Sequence, residues 1–302
     1  MKHRRFFGAL LAALLFTAPL NAKSIESFRG QYQAALLLDV DSGKQLVAQD
    51  IHRQIYPASV VKMMVALLTL EDVESGRVSW KDTVTVSKWA SRIGGSQVYL
   101  KQGERFALHE LMKAMVISSA NDAAVAIAEH LEGSQEDFVK RMNARAGELG
   151  MQHTQFQTPH GLPPSRRRKQ KADVTTVFDL SLLASELLKH PRYFEWSSTR
   201  LDSFRRGTFQ LLNTNHRLLR SYPGMDGMKT GYYSKAGFNL VATAKRGDTR
   251  LLSIVVGARN AKTRNRIIAS LLDSGFEQLQ PAQDSKDAAA IRSGTANAVA
   301  SR

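Results

Sequence analysis

The sequence predicts a two-lobed α/β protein. One antiparallel sheet, built from an N-terminal hairpin and C-terminal strands and flanked by helices, is expected beside a mostly helical lobe. Three observations carry that prediction. Ala34 to Val40 and Lys44 to Ala48 read as two strands around the turn Asp41-Ser42-Gly43. The middle of the chain has helical periodicity. The last third returns to strands at Thr208 to Leu212, Gly227 to Thr230, Phe238 to Ala244 and Leu251 to Gly257, with Gly247-Asp248 turning the final pair into a hairpin. Pairing the first strands with the last gives one sheet. A cleft then separates the lobes, and clefts between lobes are where sites form.

The elements follow in order. Lys2, Arg4 and Arg5 precede an apolar run from Phe6 to Phe16, broken by Thr17-Ala18-Pro19. That is the pattern of an export signal, too short to span a bilayer, so residues 1–22 are expected to be removed after Ala22. A helix is expected from Ser59 to about Leu70, apolar on nearly all sides and therefore central. Residues 76–107 are mixed, with a strand-like piece at Thr83 to Val86. Leu108 to Ile117 and Asp122 to about Leu131 read as two helices joined by Ser118-Ser119-Ala120-Asn121. Ser134 with Asp137 resembles the start of a third helix, which Gly150 ends. Thr158 to Pro164 is a loop, and Ser165 to Lys171 is a basic run. Val174 to Lys189 is a further helix, closed by His190-Pro191, and the last helix covers about Thr263 to Leu272. Residues 23–280 thus form the folded domain. Residues 281–302, rich in Ala, Ser and Asp without periodicity, read as a disordered tail.

Composition narrows the function. The 302 residues contain no cysteine, so disulfides and thiolate metal sites are excluded, and neither metal nor cofactor is expected. Removing residues 1–22 takes away three positive charges and lowers the formal charge from +15 to about +12. A protein so basic favours anionic partners such as a membrane face or wall polymer, and export disfavours nucleic acid.

Three short motifs then fall in sequence. Ser59-Val60-Val61-Lys62 places a hydroxyl and an amine one helical turn apart. A serine needs a base, and a lysine is one only when burial or another cation lowers its pKa. Ser119-Ala120-Asn121 offers a hydroxyl for proton relay and an amide for a substrate carbonyl. Lys229-Thr230-Gly231 offers a cation, a donor for a carboxylate, and a glycine where substrate backbone can approach. Each alone is a common surface or loop sequence. Together, at separations of about 60 and then about 110 residues, they match a set found in serine enzymes that react with β-lactams.

The chain resembles the low-molecular-mass penicillin-binding proteins of the D-alanyl-D-alanine carboxypeptidase type. The resemblance covers roughly residues 28–280. It includes Pro57-Ala58-Ser59, Ser119 to Ala124, Pro159-His160-Gly161-Leu162-Pro163, Asp226 to Gly231 and Ala236 to Ala242. It implies a β-lactamase/transpeptidase-like fold and cleavage of the terminal D-alanine from peptidoglycan stem peptides, outside the cytoplasm in the periplasm or at the outer face of the cytoplasmic membrane. It also implies acylation by β-lactam antibiotics. Ser59 would be the nucleophile and Lys62 its base. Ser119 and Asn121 would relay protons and bind the peptide. Lys229, Thr230 and Gly231 would hold the carboxylate end, with Arg264 assisting. The N–H groups of Ser59 and Tyr232 would form the oxyanion hole.

There are departures. Tyr233 stands where the family often has threonine, and the run after Pro164 is unusually basic. The additional β-rich domain and membrane anchor of many relatives are not expected here. No Glu-x-x-Leu-Asn segment lies between Asn121 and Lys229, which argues against a β-lactamase of class A. Two alternatives stay open: a D,D-endopeptidase that cuts cross-links, and a non-catalytic basic protein that binds the cell wall or a membrane.

Overall fold

The computed structural model describes residues 26–165 and 169–279. The expected signal, the tail and Arg166 to Arg168 lie outside the described residues. The sheet forms as expected from the two ends of the chain. Strands β1 (Ala34–Asp39), β2 (Gln45–Gln49), β7 (Met225–Tyr233), β8 (Gly237–Arg246) and β9 (Thr249–Ala258) run in the order β2-β1-β9-β8-β7. All four pairings are antiparallel. Central strands β1, β8 and β9 carry near-continuous apolar runs because both faces are covered.

Alternation sorts their side chains between two layers. Leu36, Val241, Leu252 and Ile254 join the core beneath the helical lobe. Leu37, Leu240, Leu251 and Val255 face a helix over residues 261–279, through its Ile267, Ile268, Leu271 and Leu272. That helix is longer than expected, and Asn260 caps it by accepting from the Thr263 amide at 2.8 Å.

The helical lobe is organised on α1 (Lys62–Glu74), whose residues from Met63 to Leu68 are all buried. Around it stand α2 (Leu108–Ile117), α3 (Asn121–Glu132), α4 (Gln135–Glu148) and α5 (Val177–Leu187). Two small hairpins complete the lobe: β3 (Thr83–Thr85) with β4 (Arg105–Ala107), and β5 (Leu201–Phe204) with β6 (Phe209–Leu212).

Local details differ from the sequence reading. Ser59 does not open the long helix; it sits in a single 3-10 turn, Ala58–Val61, that feeds it. Helix α5 begins at Val177, where the Thr176 hydroxyl caps the Asp179 amide, because Val174 and Thr175 are spent on bridges to Gln155 and Ile55. Pro191 opens a helix, α6 (Pro191–Ser197), instead of closing one, as its fixed φ and missing N–H permit at a first turn. A six-residue helix, α7 (His216–Ser221), precedes β7. Among the described residues no helix is long and apolar enough to cross a membrane.

Candidate active site

The three motifs converge. The nucleophile turn is held from the sheet: the buried Asn239 side chain on β8 donates to the carbonyls of Tyr56 at 2.8 Å and Pro57 at 3.1 Å. Its oxygen accepts from Gly257 N on β9 at 2.8 Å. Ala58 is forced to φ 51°, a left-handed conformation costly for a residue with a Cβ. Two glycines allow close approach to this turn. A Cβ on Gly161 would lie 2.1 Å from the Ala58 carbonyl oxygen, and one on Gly231 would lie 2.4 Å from that of Pro57.

Lys62 is 1% exposed, while Ser59 keeps partial access to solvent. The Lys62 Nζ lies 3.0 Å from Ser59 Oγ, 2.7 Å from Asn121 Oδ1 and 2.7 Å from the His160 carbonyl oxygen. The last two are pure acceptors. A neutral amine has two N–H groups, so both are claimed by those oxygens and its lone pair is left facing Ser59. Burial, and then the charge of Lys229, pull the Lys62 pKa well below its ordinary value; Asp173 and Asp122 oppose this.

Ser119 sits at the turn between α2 and α3 with φ 61°. Its Oγ accepts from Lys229 Nζ at 2.8 Å. Lys229 also donates to the Thr230 carbonyl at 3.1 Å. Burial, and secondarily Arg264, lower the Lys229 pKa to about 7. Asn121 donates one N–H to the Gly94 carbonyl at 2.7 Å, which leaves its second N–H for a substrate carbonyl.

The remaining expected residues are placed unevenly. The Thr230 hydroxyl donates to Thr214 Oγ1 at 2.7 Å, so the exposed Thr214 hydroxyl extends the donor chain into the cleft. Tyr232 is 55% exposed and stacks on Phe238. Arg264 is buried. It donates to Asn265 Oδ1 and, at 3.4 Å, to the Asn239 carbonyl.

Several participants were not found by sequence reasoning. The His160 carbonyl is held in place by Asp173, which accepts from Gln157 N, Thr158 N and the Thr158 hydroxyl, while Thr158 Oγ1 accepts from Gly161 N. Burial raises the Asp173 pKa. The His160 ring is held neutral, its pKa lowered to about 3 by burial and by Lys62. Asp122, 1% exposed, accepts from Val98 N and Leu100 N and fastens the 94–100 segment behind Asn121. Away from the cleft, Glu71, Glu186 and His190 gather, but Arg145 already donates to both carboxylates.

The profile of the D-alanyl-D-alanine carboxypeptidase family, peptidase group S11, matches residues 21–260. The chain belongs to that family. Among curated members, it is 37% identical over 266 residues to the D-alanyl-D-alanine carboxypeptidase DacF of Bacillus subtilis, covering 87% of this chain and 67% of that one. It is 34% identical over 275 residues to DacC of Escherichia coli, covering 89% and 67%. Penicillin-binding protein D2 of Listeria monocytogenes, solved in its ampicillin-bound form, superposes with a TM-score of 0.74 at 34% identity, covering 82% of this chain and 97% of that one. Penicillin-binding protein 6B of Escherichia coli gives a TM-score of 0.75 at 32% identity, covering 81% and 77%. The β-lactamase/transpeptidase-like fold expected from the motifs is therefore the fold of this carboxypeptidase family member.

Proposed function

We propose that this chain is an exported serine D,D-carboxypeptidase. It removes the terminal D-alanine from peptidoglycan stem peptides through an acyl-enzyme on Ser59 and is acylated by penicillins at the same atom. The observation that carries this reading is the setting of Lys62, whose two other neighbours are acceptors and whose lone pair is thereby aimed at Ser59. Ser59 Oγ attacks the carbonyl carbon of the penultimate residue as its proton passes to Lys62. The N–H groups of Ser59 and Tyr232 take the charge that develops on oxygen. The C–N bond breaks as Lys62 returns its proton to the departing amine through the Ser119 hydroxyl, which Lys229 holds. Water then attacks the ester, giving a proton to the neutral Lys62, which passes it to Ser59 Oγ as the ester bond breaks. The leader and the basic charge support action outside the cytoplasm on an anionic wall.

The test follows the unsubstituted protein by mass spectrometry with benzylpenicillin, a D-Ala-D-Ala pentapeptide and a cross-linked dimer. A persistent penicillin adduct and release of one D-alanine from the pentapeptide are expected. Cleavage of the dimer in preference to the pentapeptide would make it an endopeptidase. Absence of any adduct would remove the serine mechanism.

Two further results are expected. Gly231→Ala pushes a methyl group into the Pro57 carbonyl and so displaces Ser59; penicillin acylation should slow by about 10²-fold. Stopped-flow or gel-based acylation rates check it. Second, the acylation rate constant per unit of free penicillin reports ionisations of the free enzyme. Lys229 is charged below about pH 7 and loses that charge above it, so the rate should fall on the alkaline side from about pH 7. Lys229→Arg, which stays charged, should be slower overall yet lack that alkaline limb. A profile from pH 5 to pH 10 decides it.

A further inference from the structure

Beside the catalytic cleft lies a concavity of about 430 Å³ lined by Lys88, Trp89, Arg92 and Ile93. Its size is that of an ordinary ligand pocket. Both cations are exposed, and among the described residues neither forms an ion pair. Trp89 is 48% exposed, an unusual display for so large an apolar ring. The wall is rigidly founded. It is built on the turn Ala90–Arg92, in which Ala90 is fully buried and donates from its amide to Ser87 Oγ at 2.9 Å. The turn packs on α3, the helix that Asn121 begins. The chain then passes from Ile93 directly to Gly94, whose carbonyl accepts from Asn121. The pocket wall therefore ends one residue from the Gly94 carbonyl that Asn121 binds, while Lys229 bonds to Ser119 across the site.

On the carboxypeptidase reading, a substrate whose terminal carboxylate rests at Lys229 and Thr230 would lay its upstream residues past Ser59 towards Asn121 and Gly94. We propose that the Lys88–Arg92 concavity is a subsite for the upstream, acidic part of the stem peptide, with a carboxylate seated between the two cations against the Trp89 ring. The proposal rests on the carboxypeptidase reading. A stem peptide in which glutamate is linked through its γ-carboxyl carries a free α-carboxylate two residues before the penultimate alanine. Paired donors on Lys88 and Arg92 complement that group, and the indole face covers the adjoining aliphatic carbons.

The experiment compares three peptides: diacetyl-Lys-D-Ala-D-Ala, the pentapeptide Ala-γ-D-Glu-Lys(acetyl)-D-Ala-D-Ala, and the same pentapeptide with its α-carboxylate converted to an amide. In the unsubstituted protein the acidic pentapeptide should exceed the short peptide about tenfold in kcat/KM. That advantage should lie in KM and fade with added salt. Amidation should abolish it. The Lys88→Ala/Arg92→Ala double variant should lose it too, while its turnover of the short peptide stays within twofold. Equal loss on all three peptides, or no loss on any, overturns the subsite. Retained peptide preference in the double variant together with lost binding to phosphatidylglycerol vesicles also overturns it, and assigns the patch to a membrane. Failure of the unsubstituted protein to turn over any of the peptides is a separate result, which removes the carboxypeptidase reading itself.

Discussion

Lys62→Arg is expected to slow acylation of Ser59 by penicillin about 10³-fold without unfolding the protein. The magnitude is that of removing a positioned general base. Arginine keeps a cation and several donors near Asn121 Oδ1 and the His160 carbonyl, so attraction for an anionic ligand persists. It remains protonated at every accessible pH, so it has no lone pair to offer Ser59. The substitution thereby separates the charge of Lys62 from its basicity. Ser59→Ala should abolish the adduct altogether and provides the zero of the measurement. Adduct formation followed by mass spectrometry gives the rate, and a thermal melt confirms folding. A Lys62→Arg rate within tenfold of the unsubstituted protein would show that Lys62 acts through its charge and that another group takes the proton.

At the opposite end of the same helix, Asp72→Ala is expected to cost about 2–3 kcal/mol of stability with little change in acylation. The Asp72 side chain is 3% exposed and receives both Nη atoms of Arg141, with Arg77 Nη2 3.0 Å away. It joins α1 to α4 and to the turn after α1. Removing one partner of such a pair costs about 3–5 kcal/mol when both are buried; here Glu132 still pairs with both arginines and limits the loss. Arg141 and Arg77 are 27% and 43% exposed, so water reclaims part of that loss. For a chain of this size the melting temperature should fall by about 5–10 °C. Asp72→Asn, which still accepts hydrogen bonds, should fall less. The site is spared because ten helical residues, about 15 Å, separate Asp72 from Lys62. Parallel loss of penicillin acylation in folded Asp72→Ala would contradict this separation.

The sequence disclosed those parts of the site that depend on side-chain type at fixed order. Ser59 and Lys62 pair as their motif suggests, and Lys62–Asn121 and Lys229–Ser119 bonds join the three motifs to one another. The sheet was legible for a similar reason, since alternation and turn residues mark its strands locally. What escaped depends on long-range placement. The His160 carbonyl is a backbone atom and has no signature, although the Asp173–Thr158 bonds that aim it are ordinary side-chain pairs. Thr214 gains meaning only because the link between β6 and α7 sets it beside Thr230. Asn239 is one polar residue in the apolar strand β8, and its partners at Tyr56, Pro57 and Gly257 are distant in sequence or on another strand. Arg264 came from the family resemblance alone, and its donors go to Asn265 and the Asn239 carbonyl.

The clamp on the nucleophile turn also orders events in the life of the chain. Asn239 reaches back 183 residues to Tyr56, and its own oxygen is fixed by Gly257 on the next strand. The hairpin β1–β2 likewise finds its sheet only when β9 arrives. A growing polypeptide therefore carries Ser59 for most of its synthesis without the strand that holds the turn leading into it. Competence to react arrives late and all together, with the closing of the last strands. Labelling by penicillin thus counts completed molecules, and a fragment ending before β8 should stay unlabelled however well its helices form.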